Sequence, residues 1–144
     1  MRLRSSTRRS LEKSHYLSPN TSRWRLAGLF FVFLWFFVGG IAHFTATDAE
    51  TRIVPPYIPW PRAVVLLSGA FELLGAVGLL WRSTRHAAGW GLMALTVAVT
   101  PAHFYMLQQP DLFDVPYWML ILRLPVQIAL IALIAWSTAP AGEA

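Results

Sequence analysis

Glu72, His43, His103 and Arg123 are ionisable residues set inside or at the edges of four apolar runs, and such groups are functional candidates wherever hydrocarbon surrounds them. A charged carboxylate deep in a bilayer is costly unless it is paired, hydrated or protonated. Glu72 must therefore face inward, as a proton acceptor, as an anchor for a ligand, or in an interhelical hydrogen bond or ion pair with Arg123. Arg123 has a stem long enough to lift its guanidinium to headgroups; buried instead, it pairs with Glu72 or meets an anion. Gln127 lies one helical turn further along the same face. His43 and His103 allow a metal site or a bis-imidazole haem between facing helices, although a histidine near a helix carboxyl end that bonds to a neighbour is the more common use. His15 and His86 sit in basic flanks and carry no such signal.

These residues need helices to hold them, and the composition supplies that. The 144 residues are 56% hydrophobic and 13% charged, too apolar for a water-soluble globule of one domain. A hydrocarbon core of about 30 Å takes roughly 20 apolar helical residues, and four stretches qualify, at about 24–44, 62–81, 87–107 and 117–136. The expected fold is all-α, an integral membrane four-helix bundle over 24–136, preceded by a basic cytoplasmic tail at 1–23 and followed by a cytoplasmic tail at 137–144. Any site must then be built from helix faces and the connection between Thr45 and Pro61.

The chain has no cysteine, which excludes thiol exchange, thiolate metal sites and iron–sulfur ligation within it. Its net charge of +5 is a topology signal and not a nucleic-acid signal, because Arg2, Arg4, Arg8, Arg9, Lys13, Arg23 and Arg25 all precede or open the first span. Basic flanks stay cytoplasmic, and Arg82 and Arg85 mark the second connection in the same way. Asp48, Glu50, Asp111 and Asp114 fall in the first and third connections, expected outside. The run Thr7–Lys13 looks like a twin-arginine signal, but the long Phe- and Trp-rich segment after it, with no clean small-x-small site, reads as a signal-anchor first helix.

Within the connections and spans, four further features stand out. Ile53–Pro61 is stiff with prolines and cannot form a regular helix; Tyr57 and Trp60 are expected at headgroup level, as interfacial anchors or part of a ligand pocket. Ala42-His43-Phe44 recurs as Ala102-His103-Phe104, and Val54-Pro55 as Val115-Pro116, which suggests a two-plus-two repeat with both histidines near the outer interface. Ser68-Gly69, Gly75 and Gly78 let a neighbouring backbone approach. Thr100-Pro101 should bend the third span just before His103.

The order of these features resembles the DoxX-like family of small four-span bacterial membrane proteins. The likeness is carried by His43-Phe44, then Pro55, Pro56 and Pro59, then Leu67-Ser68-Gly69-Ala70-Phe71-Glu72-Leu73-Leu74-Gly75-Ala76-Val77-Gly78-Leu79-Leu80. It covers about Leu26 to Trp136 and implies a bacterial cytoplasmic-membrane location, with Glu72 as the position to carry over. The family name derives from a thiosulfate:quinone oxidoreductase subunit, so the resemblance implies association with a membrane oxidoreductase and a quinone. The expectation is an accessory or ligand-binding subunit with an outward-facing pocket of Glu72, Arg123, His43, His103 and Gln127. A partner protein or a homo-oligomer is compatible with it, and a small proton-coupled transporter acting as an oligomer is the alternative.

Overall fold

Inside hydrocarbon each backbone N–H and C=O must be satisfied within its own segment, which leaves helices as the form open to four apolar runs. The computed structural model describes the backbone of residues 19–139 and the side chains of 23–139. The basic tail before residue 19, with its arginine pair, and the last five residues lie outside the described residues. Helix α1 spans Pro19–Thr45, α2 Thr47–Arg52, α3 Pro61–Gly78, α4 Arg85–Ala98, α5 Thr100–Gln108 and α6 Tyr117–Thr138, with a 3₁₀ turn at Pro110–Leu112. There is no strand among the described residues. Taking α4 and α5 as one bent rod, four helices are long and apolar enough to cross a membrane.

Proline sets several of the boundaries. Pro61 opens α3, where its missing N–H costs nothing, and Pro101 ends the α4 ladder, separating α4 from α5 at Val99. The expected bend before His103 is therefore present as a break in the helix. Residues 53–60 are non-helical, as the prolines require, and helix α2 occupies the part of the connection before them. Its six residues precede the first proline of the loop, its acidic Asp48 and Glu50 sit in its first turn, and the Thr47 and Thr51 hydroxyls donate to the carbonyls one turn back, at 2.7 Å each.

Neighbouring helices pack in a closed ring in the order α1, α3, α4, α6 and back to α1. Leu29, Val32 and Phe36 of α1, Ala76 of α3 and Leu79 just beyond it, Leu92 of α4, and Leu130 and Ile134 of α6 meet in one apolar core. Spacings alternate between three and four residues, as interdigitating helices require. Continuing each stripe places His43 after Leu29, Val32, Phe36 and Gly39; Glu72 between Gly69 and Ala76; and Arg123 and Gln127 between Leu120 and Leu130. The outer surface is apolar in turn, with Phe30, Leu34, Leu67, Leu74, Ile121 and Ile128 all exposed, as lipid contact demands and water does not tolerate.

One end of the bundle is fastened by arginine. The Arg25 guanidinium donates to the carbonyls of Trp136 (3.2 Å) and Ala139 (2.6 Å) at the close of α6. Arg85 donates to Leu79 O at 3.0 Å, just past α3, and the Thr84 hydroxyl to Gly78 O at 2.7 Å. Each cation or hydroxyl meets carbonyls that have no partner within their own helix, at the negative end of the helix dipole.

Candidate functional site

The stripes are apolar toward the arginine-fastened end and polar beyond it, and at the polar level the helices leave a cavity of about 520 Å3. Glu72, His103, Arg123, Gln127 and Thr96 line it, together with Trp35, Phe36, Trp118 and aliphatic side chains of α4 and α6. Trp35 on α1 and Trp118, Leu122 and Val126 on α6 are also exposed on the outside of the bundle. The cavity therefore reaches the lipid-facing surface along the α1–α6 seam.

On one wall, the Glu72 carboxylate of α3 accepts from His43 Nε2 of α1 at 3.4 Å, a distance longer than an optimal N–H···O bond. Their side chains are only 13% and 16% exposed, respectively. Close helix approach makes the contact possible. A Cβ on Gly39 would lie 2.8 Å from Glu72 Oε2, and one on Gly69 would lie 2.6 Å from His43 Cβ and 3.1 Å from the Gly40 carbonyl. Gly39, Gly40 and Gly69 thus let α1 and α3 touch backbone to backbone and seat the carboxylate against α1. His43 Nδ1 is buried with no hydrogen-bond partner.

On the opposite wall, the Gln127 amide of α6 joins three groups of the bent rod. Its nitrogen donates to the Thr96 carbonyl and to Thr100 Oγ1 at 2.7 Å, and its oxygen lies 2.7 Å from His103 Nδ1. The Thr96 carbonyl belongs to the last turn of α4, where the break before Pro101 leaves carbonyls without a partner in the ladder. The proline bend thus supplies the acceptor that Gln127 fills.

Several expectations are corrected here. Glu72 pairs with His43 and not with Arg123, which has no ion-pair partner among the described residues although both line the cavity. The histidines do not stand level with the first residues of α3 and α6. His43 is level with Gly69 and Glu72, 8 to 11 residues into α3, about 12–16 Å along the helix, and His103 meets Gln127, 10 residues after Tyr117. The reason is α2, which carries the chain onward from α1 so that the first turns of α3 pack against it. The two imidazoles bond to separate helices and have no common partner, and no cluster of three metal-ligating side chains occurs among the described residues.

Tyr57 and Trp60 do not line the cavity. They are 74% and 79% exposed, and Tyr57 borders a shallower groove with Pro101, Phe104 and Tyr105. Trp60 has φ 51°, left-handed and strained for a residue with a Cβ, immediately before Pro61. Thr96, Thr100 and Gly39 do not stand out in the sequence as site residues, although the three-four stripe through Leu92 and Thr96 points inward.

The profile of a family described as a domain of unknown function (DUF8561) matches residues 32–139, three quarters of the chain and all of the cavity. No curated protein and no solved structure matches it.

Proposed function

The chain belongs to the DUF8561 family, and we propose that it is a membrane-embedded binding protein for a small lipophilic molecule with a polar head. The observation that carries this reading is a single cavity of about 520 Å3 in which Glu72, His103, Arg123 and Gln127 share apolar and aromatic walls. That combination of apolar surface and a few convergent polar groups is the usual make-up of a small-molecule site. The Arg123 guanidinium, without a carboxylate partner among the described residues, is the natural contact for a carbonyl or anionic oxygen. The seam flanked by Trp35 and Trp118 offers an entry from the acyl phase.

The likeness of Leu67–Leu80 to the DoxX-like pattern supports an accessory role beside a membrane oxidoreductase, with a quinone as the first ligand to test. In this reading the arginine-fastened end faces the cytoplasm of a bacterial inner membrane, and the cavity lies in the outer half of the bilayer. Organic extraction of the protein purified from its native membrane, followed by mass spectrometry, tests the proposal. Wild type should carry a stoichiometric lipophilic compound that falls at least several-fold in Glu72→Gln. Equal recovery from both proteins, or none from wild type, overturns it.

A further inference from the structure

Which nitrogen of His103 carries the proton follows from the contacts of Gln127, because a hydrogen-bond network fixes a tautomer that heavy-atom positions do not show directly. The Thr96 backbone carbonyl accepts and cannot donate, so the Gln127 atom that meets it must be the amide nitrogen. The other end of the amide is then oxygen, and oxygen only accepts. His103 Nδ1, at 2.7 Å from it, must be the donor. A neutral imidazole has a single N–H, which leaves His103 Nε2 bare. That atom has no partner among the described residues and is not among their buried, unsatisfied nitrogens, while His103 lines the cavity.

We infer that Gln127 is a positioning residue that holds His103 in the Nδ1–H form, and that the cavity accordingly takes a lipophilic ligand bearing a protic head, an O–H such as that of a phenol or quinol, bonded to His103 Nε2. This rests on the ligand-binding reading above and adds the chemical class. The polar surroundings agree with it. Glu72 contributes a second acceptor on the opposite wall and Arg123 the donor for a second oxygen of the same head. Pro101 is the origin of the arrangement, because the helix break exposes the Thr96 carbonyl that orients the amide. The ligand's proton is shared with Nε2 in a hydrogen bond, with no covalent or redox step required.

Two measurements on the full chain in detergent test this separately. Long-range 1H–15N NMR of histidine-labelled protein, with His103 assigned by its loss in His103→Asn, should show the Nδ1–H form in wild type and a shift toward Nε2–H in Gln127→Leu. An Nε2–H signal in wild type overturns the assignment; an unchanged signal in Gln127→Leu overturns the positioning role. Tryptophan quenching, to which Trp35 and Trp118 contribute from the cavity wall, then compares 4-heptylphenol with 4-heptylanisole, which differ by the methyl that caps the O–H. The phenol should bind about tenfold more tightly, the size of one net hydrogen bond, and Gln127→Leu should abolish the difference. Equal binding of both probes by wild type overturns the ligand class while the cavity stands. Binding of neither overturns the ligand-binding reading itself, and the NMR result decides the tautomer independently of it.

Discussion

At Gly39 the absence of a side chain decides where a carboxyl group sits. A Cβ there would meet the Glu72 carboxylate at 2.8 Å, the far end of a flexible side chain, so Gly39→Ala should fold with a loss below about 1 kcal/mol yet push the carboxylate off His43 and weaken ligand binding several-fold. Gly69→Ala meets His43 Cβ and a backbone carbonyl instead, neither of which can swing away, and should cost about 1–3 kcal/mol as overpacking. Gly91, where an added methyl would find nothing within 4 Å, is the control: Gly91→Ala should leave stability within about 0.5 kcal/mol and binding unchanged. Reversible unfolding in mixed micelles and tryptophan quenching read the two quantities. A Gly39→Ala protein that binds as wild type would show that the carboxylate position does not matter to the ligand.

The helix break before Pro101 leaves a carbonyl that Gln127 meets, which makes its repair informative. Pro101→Ala restores an N–H and removes the ring clash, so the protein should gain about 1–3 kcal/mol while Gln127 loses its carbonyl acceptor and binding falls, with amide exchange slowed across 97–103. A gain in stability with binding intact would separate the bend from the site. At the bundle's other end, Arg25→Ala strips the donors from the end of α6 and should cost about 1 kcal/mol in the same unfolding assay, with Arg25→Lys recovering part of it; no change would make that contact a surface accident. Much of this was legible in the residues. Apolar length placed four rods to within a few positions, and Thr100-Pro101 announced the break. What the pattern hid was axial offset. The choice of His43 over Arg123 as partner for Glu72 depends on α2 prolonging α1, and a six-residue helix held by threonine hydroxyls leaves almost no periodic trace. Arg25 and Arg85 read as topology signals because nothing local reveals that their reach ends on another helix's carbonyls.

Across the whole molecule, the up-down ring gathers the chain's charge by sign, and this gives a direction that can be measured. Arg23, Arg25, Arg82 and Arg85 lie at one end, where no acidic side chain occurs among the described residues, while Asp48, Glu50, Asp111 and Asp114 lie at the other with Arg52 and Arg62. The ion pair there, Arg62 with Asp48 at 3.4 Å, is 71% and 87% exposed, too solvated to contribute more than marginally to stability. Basic flanks resist translocation, so on the orientation proposed above the second connection lies inside and the cavity toward the outer leaflet. Because the chain has no cysteine of its own, single substitutions report cleanly. Ser83→Cys and Asp114→Cys sit at exposed positions of opposite ends, and a membrane-impermeant maleimide applied to spheroplasts should label residue 114 at once and residue 83 only after permeabilisation. The reverse pattern would turn the cavity toward the cytoplasmic leaflet and overturn the proposed orientation.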